Sequence, residues 1–447
     1  MKHIVLIGAG LAGSYMAYAL GKKGYSVEVF EKRPDPRKAE YGSGRSINLV
    51  VSHRGWTAFK YAGIEEEIRK IVVPAHGRQI HDLEGNETFF PYSIDQQAIH
   101  SISRSELNET LLNLAEAQTN VRVHFDHICE RIDTESGNVY LSHHGEPVHV
   151  TGDLIVGADG AGSAVRRTLM GKPRFNFSQN FIDSGYKEVH IPAGEDGAPQ
   201  LNIDALHIWP RREFMLMGLA NTDNGFTGTV FAPFTGEYGL DQLTTGKDGL
   251  RYFEKYFKDA IPLIPNLEEQ WENNPTSALA CIRCHPYHWG SNTMLIGDAA
   301  HATVPFYGEG MNGSLEDVRV FLELLDEHGD SDMKLVLNRY TELREPAGNA
   351  LVDLSLRNFI EMRDLVADPA FQLRKKIERN VQKNHPDKWT PLYSLVKFTN
   401  IPYQDAKAEG ERHDGIMEVI LALDNIEEQW NSAEVENKVL DLLNNQV

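Results

Sequence analysis

The sequence predicts an α/β fold in which a discontinuous Rossmann-like nucleotide-binding domain carries an inserted antiparallel β-sheet and precedes a helical C-terminal region. Three observations predict this fold. A short apolar strand, a glycine turn and an amphipathic helix stand at the N-terminus, as in a βαβ unit. Aromatic and β-branched segments separated by turn-like spacers fill residues 185–234. From residue 315 onward, apolar residues recur at helical spacing.

Composition excludes some classes of partner. The chain has 447 residues, with 44 Lys and Arg against 64 Asp and Glu, a formal charge of −20. Nucleic acid and anionic lipid both favour a basic protein surface, so neither is expected as a partner. An anionic small molecule stays possible if a few arginines line a local pocket.

Apolar patterning and cysteine use predict a soluble, cytoplasmic protein. No stretch reaches the roughly 18 apolar residues of a membrane helix, and the first apolar segment has no secretory cleavage site. Cys129, Cys281 and Cys284 are too few for a disulfide framework. The CIRC pair lies in a strand-like run, where residues three apart point to opposite faces, so we expect a structural role for it.

The N-terminal motif is GAGLAG, which contains Gly8, Gly10 and Gly13. In a βαβ unit the first glycine permits the tight turn, the second lets the backbone approach a pyrophosphate, and the third lets helix pack on strand. Glu31 ends the next strand, where a carboxylate can accept both ribose hydroxyls of an adenosine. Lys32 and Arg33 follow it in FEKR, a sequence typical of adenine dinucleotide sites.

Two further motifs follow buried strands. The segment DLIVGADGAGSAVR, residues 153–166, places Asp159 at the end of a strand, and taken alone it is equally consistent with a surface aspartate. The segment LIGDAAHATVPFYGEGMNGSLED, residues 295–317, places Asp298 before a glycine-rich loop. So much glycine beside an aspartate indicates that the backbone approaches something closely.

Together the three motifs resemble the flavoprotein aromatic hydroxylases, which are single-component FAD monooxygenases that use NADPH and O2. The resemblance implies that Asp298 bonds the ribityl chain of FAD and that Met311 and Asn312 lie at the isoalloxazine ring. The sequence shows one dinucleotide-binding fold, so NADPH would have no Rossmann domain of its own. Disulfide reductases are disfavoured because their CxxxxC pair is missing.

More specific stretches resemble the kynurenine 3-monooxygenase family, from the first strand to about residue 403. The stretches are GRSINLVVSHRG, GRQIHDLEGN, SISRSELNETLL, HIWPRREFMLM, NFIEMRD and PLYSLVKF. The resemblance implies hydroxylation of L-kynurenine to 3-hydroxy-L-kynurenine through a flavin C4a-hydroperoxide, in tryptophan degradation. It implies that the flavin does the chemistry and that no side-chain base is required, because the ring amine activates the ortho carbon.

The resemblance also assigns residues. Those matching the family's substrate contacts are Arg78, Tyr92, Asn358 and Tyr393, and a planar guanidinium suits the substrate carboxylate. Those expected at the cofactor are Gly8, Gly10, Ala12, Gly13, Glu31, Lys32, Arg33, Arg104, Asp159, Asp298, Met311 and Asn312, with Arg45 also near the flavin. The plainer alternatives are a surface ion pair for Arg78, a core tyrosine for Tyr393 and a helix-interior amide for Asn358.

Three further expectations concern departures, domains and assembly. The family commonly has glutamine and alanine where this chain has Glu309 and Gly313, with an effect on the flavin that the sequence does not indicate. The C-terminal tail is acidic and too polar for the membrane anchor of eukaryotic members, so we expect a bacterial-type protein without an anchor, as a monomer or homodimer. The predicted FAD-binding domain comprises residues 1–75, 101–175 and 280–330, the substrate-binding sheet residues 76–100 and 176–279, and the helical region residues 331–447.

Three alternatives stay open. One is a related FAD hydroxylase that acts on another phenol or anthranilate-like ring. Another is a flavin-dependent reductase or oxidase that never inserts oxygen. The third is a non-catalytic flavin-binding sensor, for which the substrate-like Arg and Tyr positions would have no purpose.

Overall fold

The computed structural model describes residues 3–38, 47–92, 97–362 and 368–445. The N-terminal sheet has the order β18-β19-β12-β1-β2-β8 and is parallel except at its β18 edge. Its strands are β1 (His3–Ile7), β2 (Ser26–Phe30), β8 (Val121–His124), β12 (Leu154–Gly157), β18 (His288–Trp289) and β19 (Thr293–Leu295). Strands from three distant parts of the chain therefore build one nucleotide-binding sheet.

The large sheet has the order β17-β13-β16-β15-β14-β5-β6. Its strands are β5 (Gly77–His81), β6 (Glu87–Pro91), β13 (Asn176–Ile191), β14 (Ala205–Arg211), β15 (Phe214–Ala220), β16 (Phe226–Pro233) and β17 (Ser277–His285). The pairing is antiparallel as predicted, except that β5 runs parallel to β14. β17 belongs to this sheet although it crosses the domain boundary predicted at residue 280, and the domain division itself stays a prediction.

Two smaller sheets flank these. One has the order β3-β7-β4 and the other β11-β10-β9, and all their pairings are antiparallel. Their strands are β3 (Asn48–Val51), β4 (Val72–Ala75), β7 (Ile99–Ser103), β9 (His127–Asp133), β10 (Asn138–His143) and β11 (Glu146–Thr151).

The helices pack on the sheets and then form the C-terminal region. They are α1 (Leu11–Lys22), α2 (His53–Ala62), α3 (Glu65–Arg69), α4 (Arg104–Glu116), α5 (Ala164–Leu169), α6 (Gly246–Tyr256), α7 (Leu267–Asn273), α8 (Asp298–His301), α9 (Gly310–His328), α10 (Met333–Ile360), α11 (Pro369–Asn384), α12 (Leu392–Phe398), α13 (Tyr403–Leu421), α14 (Ile426–Gln429) and α15 (Ala433–Asn445). Short 3-10 turns cover Leu240–Gln242, Lys258–Leu263 and Pro305–Tyr307. The predicted fold class is confirmed. In the part of the chain that the structure describes, no helix is both long and apolar enough to cross a membrane.

Separate apolar clusters cover the N-terminal sheet and the two faces of the large sheet. One apolar cluster surrounds the N-terminal sheet with α1, α4 and α9. A second fills the outer face of the large sheet under α6 and α7, and a third covers its inner face. Cys284 belongs to the first cluster and Cys281 to the third, so the two thiols face different cores. The prediction that they point to opposite faces of a strand is confirmed.

Candidate functional site

A cavity of about 280 Å³ lies where the N-terminal sheet meets the inner face of the large sheet. Its wall combines the start of α1, β3, β5, the inner face of the large sheet, the segment around 296–311 and α12. The predicted site residues that line it are Gly10, Ala12, Arg78, Arg104, Asp298, Met311 and Tyr393. Segments far apart in sequence therefore meet at one concave surface, which is the usual form of a small-molecule site.

The glycine turn takes the form that its motif predicts. Gly8 has φ of +103°, and an added Cβ would lie 2.5 Å from the carbonyl oxygen of Ala158. At Gly13 an added Cβ would lie 2.0 Å from the carbonyl oxygen of Gly8. Nothing lies within 4 Å of an added Cβ at Gly10, which faces the cavity. The first and third glycines thus permit close packing, and the second leaves the backbone open to a ligand.

Glu31 lies at the end of β2 and bonds to the glycine turn. Its Oε2 accepts a hydrogen bond of 2.9 Å from the backbone N–H of Ala9, and its Oε1 accepts one of 2.7 Å from Arg33 Nε. Burial opposes ionisation, but the Arg33 guanidinium and these N–H donors hold the pKa of Glu31 below its usual value. The carboxylate is therefore ionised at neutral pH. Lys32 is exposed and does not line the cavity.

Asp159 is half-buried and caps a helix. Its Oδ2 accepts a hydrogen bond of 2.6 Å from the backbone N–H of Ala164, the first residue of α5. Its Oδ1 is buried and has no partner in the described part of the chain. Its neighbours Ala158 and Gly160 line the cavity, whereas Asp159 itself does not. The structure thus supports a capping role, and a direct contact with the cofactor stays a prediction.

Asp298 has the character of a ligand-binding carboxylate. It begins α8 after Gly297, whose φ is +58°, and its side chain is accessible from the cavity. Burial raises its pKa, while Arg104 and His301 oppose that shift. Among the described residues, no donor gives this carboxylate a hydrogen bond. A carboxylate that faces a cavity without a donor from the protein can accept hydrogen bonds from a ligand, so the hydroxyls of a sugar alcohol fit this position.

The loop before α9 brings backbone to the same wall. Gly308, Gly310 and Met311 line the cavity, and α9 begins at Gly310. The first N–H groups of a helix have no acceptor within it, so this terminus offers donors and a positive dipole end to an anionic group. Such donors suit a flavin ring that gains negative charge on reduction.

Asn312 does not line the cavity, and its place at the isoalloxazine ring stays a prediction. Its Nδ2 donates to the carbonyl oxygen of Val50 at 2.8 Å and to that of Gly308 at 3.1 Å. Its Oδ1 accepts a hydrogen bond of 3.0 Å from the backbone N–H of Ser52. The side chain is therefore occupied in joining β3 to the loop, and it can support a cofactor only by holding that loop in place.

Arg78, Tyr92 and Tyr393 meet at one end of the cavity. The guanidinium carbon of Arg78 lies 4.8 Å from the ring centroid of Tyr393 and 5.6 Å from that of Tyr92. The two rings stack with centroids 5.7 Å apart. Arg78 Nε and the Tyr92 hydroxyl have no hydrogen-bond partner, and Arg78 has no ion-pair partner, among the described residues. A buried cation of this kind fits a carboxylate ligand.

Asn358 lies behind this cluster. Its Nδ2 donates to the carbonyl oxygen of Phe306 at 2.7 Å, and it lines a small second cavity that also contacts Tyr393. It does not line the main cavity, because α10 presents it to the turn at 305–307. Its substrate role stays a prediction. Arg45 lies outside the described residues.

The sequence did not indicate which other side chains line the cavity. Much of the wall is apolar and comes from the inner face of the large sheet and from the loop before α9: Leu206, Ile208, Met217, Leu219, Phe231 and Phe306. Alternation along each strand predicts two faces, but it does not say which face meets the nucleotide-binding domain. Lys397 was also missed, because a single lysine in a helix carries no motif.

Both departures from the family pattern have a structural account. Glu309 is fully buried and forms an ion pair of 2.8 Å with Lys397 Nζ. Gly313 lies where α9 packs on α10, and an added Cβ there would lie 2.7 Å from Leu351 Cδ2. The negative charge of Glu309 is thus balanced by Lys397 within the protein, and Gly313 permits a close contact between α9 and α10.

Behind the loop, a buried charge network joins α9 to its neighbours. Arg54 bonds Glu316 at 2.9 Å, and Arg344 bonds Glu316 at 2.8 Å and Asp317 at 2.7 Å. His301 Nε2 lies 2.6 Å from Asp317 Oδ2, which also accepts a 2.8 Å hydrogen bond from the backbone N–H of Gly297. His301 is therefore part of the support beneath Asp298, as expected of a structural histidine.

Comparisons with known proteins show which proteins the chain is similar to. The FAD binding domain family matches residues 2–355. The chain is 43% identical over 445 residues to the kynurenine 3-monooxygenase of Christiangramia forsetii, covering 99% of each chain. It is 43% identical over 442 residues to the kynurenine 3-monooxygenase of Flavobacterium johnsoniae, covering 98% of each. The solved structure of the tetrameric form of 2-methyl-3-hydroxypyridine-5-carboxylic acid oxygenase superposes with a TM-score of 0.67 at 20% identity, covering 83% of this chain and 94% of that one.

Proposed function

Because the chain belongs to the kynurenine 3-monooxygenase family of FAD-dependent enzymes, we propose that it hydroxylates L-kynurenine to 3-hydroxy-L-kynurenine with NADPH and O2. The observation that supports this substrate most directly is the buried guanidinium of Arg78 at the cavity wall. It stands against the rings of Tyr92 and Tyr393 without an acidic partner among the described residues.

Arg78 binds the carboxylate of the substrate. A guanidinium offers two parallel N–H donors to a carboxylate, and the aromatic rings beside it exclude water from the pair. The Tyr92 hydroxyl, which is buried and has no partner in the described part of the chain, supplies a further donor. Burial also keeps the pKa of Tyr92 well above its usual value, so that its proton stays available as a donor.

The apolar wall holds the aromatic ring of the substrate. Ile208, Met217, Leu219 and Phe231 face the cavity from the large sheet. A planar ring gains free energy by leaving water for such a surface, on the order of 25 cal/mol per Å² of apolar area. Arg78 fixes the carboxylate of the substrate, and the apolar wall fixes its aromatic ring. The substrate is therefore confined to one orientation, which favours reaction at one ring carbon.

FAD would be held by the glycine turn after β1 and by residues that follow β2 and β19 of the N-terminal sheet. The glycine turn and α1 receive the pyrophosphate, Glu31 the ribose of the adenosine, and Asp298 the ribityl chain. When bound, FAD would supply the redox chemistry, because a flavin can take electrons from NADPH and pass them to oxygen. The chain itself contributes binding, orientation and exclusion of water. The substrate's own amine makes its ring electron-rich, so the protein need not supply a base to activate the attacked carbon.

A substrate panel tests the proposal. NADPH oxidation by the FAD-loaded protein would be followed alone and with L-kynurenine, anthranilate, a simple phenol or the deaminated analogue of kynurenine. We expect L-kynurenine to stimulate oxidation most and to give a product one oxygen heavier. Greater stimulation by anthranilate or the phenol, with hydroxylated product, would instead assign the protein to another hydroxylase activity. Location in the cytoplasm and a monomeric or homodimeric state stay predictions.

A further inference from the structure

The pair Lys397–Glu309 is a buried ion pair at the cavity wall, and no step of the proposed reaction uses it. Lys397 Nζ donates to Glu309 Oε1 at 2.8 Å and to the carbonyl oxygen of Gly308 at 3.1 Å. Glu309 is 0% exposed and Lys397 is 2% exposed. Lys397 nevertheless lines the cavity, as do Gly308 and Gly310 on either side of Glu309. One charge of the pair therefore faces the ligand space and the other lies behind it.

Glu309 is held from several elements at once. Its Oε2 accepts a 2.7 Å hydrogen bond from the Tyr403 hydroxyl and a 3.1 Å hydrogen bond from Ser52 Oγ. Its Oε1 accepts a 3.3 Å hydrogen bond from Asn312 Nδ2 in addition to that from Lys397. The carboxylate thus receives hydrogen bonds from α9, from α12, from α13 and from the residue that precedes α2. Several hydrogen bonds of this kind offset the cost of placing a charged side chain inside the protein.

Lys397 also links the two halves of the site. It lies on α12 four residues after Tyr393, so that the two side chains share one face of the helix. Tyr393 packs against Arg78, whereas Lys397 holds the carbonyl of Gly308, whose φ is +66°. An added Cβ at Gly308 would lie 3.2 Å from Lys397 Nζ, which shows how closely the lysine follows the loop.

We propose that Lys397 and Glu309 form a charge-matched pair in which each charge offsets the effect of the other on the reduction potential of bound FAD, with Lys397 as the positioning residue for the Gly308–Met311 loop. Reduced flavin carries more negative charge than oxidised flavin, so a nearby cation raises the potential and a nearby anion lowers it. With both charges present, their effects at the flavin largely cancel. The inference rests on FAD binding and does not depend on which aromatic compound is hydroxylated.

The test is a double-mutant cycle on the substrate-free holoenzyme. The potential of bound FAD would be measured against a reference dye in wild type, Glu309→Gln, Lys397→Met and the double variant, at one pH. Glu309→Gln leaves Lys397 as the one charge of the pair and should raise the potential. Lys397→Met leaves Glu309 as the one charge of the pair and should lower the potential. It also removes the hydrogen bond to Gly308 and should weaken FAD binding about tenfold. The double variant should return close to the wild-type potential.

Two controls separate charge from folding. Lys397→Arg keeps the charge and should leave the potential near that of wild type. Lys407→Met removes a lysine from a partly exposed pair of 2.7 Å with Asp353 and should change nothing at the flavin. Single variants that both leave the potential unmoved, that shift it in the same direction, or that are not compensated in the double variant would overturn the inference. A wild-type protein that holds FAD but ignores L-kynurenine would refute the proposed function and leave this cycle fully interpretable.

Discussion

At the scale of single residues, two side chains with unsatisfied polar atoms define the two ends of the site. Arg78 has a cationic head without an acidic partner, and Asp298 has a carboxylate without a hydrogen-bond donor, both among the described residues. The Arg78 cation would be costly to bury if nothing bound there, whereas the Asp298 carboxylate faces the cavity with its acceptors free. The two residues can be tested separately, because one is assigned to the substrate and the other to the cofactor.

Arg78→Lys should retain FAD but lose substrate affinity. A lysine keeps the positive charge but replaces a planar fork by a point donor, which cannot bind both carboxylate oxygens in one plane. We expect the KM for L-kynurenine to rise about tenfold or more, in line with the loss of one charge-assisted hydrogen bond. Flavin content, read from the visible spectrum, is the control. An unchanged KM would contradict the assignment of Arg78 to the carboxylate.

Asp298→Ala should lose FAD. The substitution removes the free acceptor at the start of α8 and leaves the core beneath it in place, because His301 and Gly297 bond to Asp317. We expect the purified variant to contain little flavin and to have a dissociation constant for FAD about tenfold larger than that of wild type. Thermal unfolding of the flavin-free proteins should be similar in variant and wild type. A variant that purifies fully yellow would rule out the ribityl role.

At the scale of elements, the loop before α9 depends on Asn312 for its position. Asn312→Ala would remove donors to Val50 and Gly308 and leave the Ser52 N–H without its acceptor. We expect the free energy of unfolding to fall by about 2–4 kcal/mol, because several buried polar groups lose their partners together. Denaturant unfolding measures this loss. The control Asn400→Ala removes an exposed 3.0 Å hydrogen bond to Thr57 and should cost far less; an equal cost for both would contradict the anchoring role.

Some elements could be predicted from sequence because their requirements are local. The glycine turn needs φ above zero at Gly8 and no side chain at Gly13, and both needs are visible in six residues. The parallel pairing of β5 with β14 could not be predicted, because residues 77 and 205 meet only through the tertiary fold. The same holds for the ion pair between residues 309 and 397, whose partners are 88 positions apart.

Orientation was harder to predict than position. The motif places Asn312 beside the loop that lines the cavity, but helical periodicity does not predict that its amide bonds to β3. Asn358 likewise lies close to Tyr393 but bonds the carbonyl of Phe306. In both cases the amide donates to a backbone carbonyl of a neighbouring segment, and that pairing is not visible in the sequence.

At the scale of the whole molecule, the buried charges around α9 make stability depend on pH. Burial opposes ionisation of Glu316 and Asp317, but Arg344, Arg54 and His301 hold both pKa values below the usual 4.5 and 3.8. A lowered folded-state pKa contributes stability that is present above the unfolded-state pKa and is lost as the pH falls through the folded-state value. These carboxylates therefore favour the folded state at neutral pH and lose that contribution in acid.

Arg344→Met should reveal this contribution. It removes the partner of both carboxylates and leaves them buried with less compensation, at a cost of about 3–5 kcal/mol. We expect its midpoint of thermal unfolding to fall most at neutral pH, and the difference from wild type to shrink in acid, as the pH falls through the lowered folded-state pKa values of Glu316 and Asp317. A difference that is constant with pH would indicate lost packing and not lost charge pairing.

The proposed reaction inserts one atom of molecular oxygen into L-kynurenine. The most direct measurement is a single incubation of FAD-loaded protein, NADPH and L-kynurenine under ¹⁸O2, followed by mass spectrometry of the product. We expect 3-hydroxy-L-kynurenine that carries one labelled oxygen. Unlabelled product, or NADPH consumption that yields only hydrogen peroxide while L-kynurenine is recovered unchanged, would contradict it.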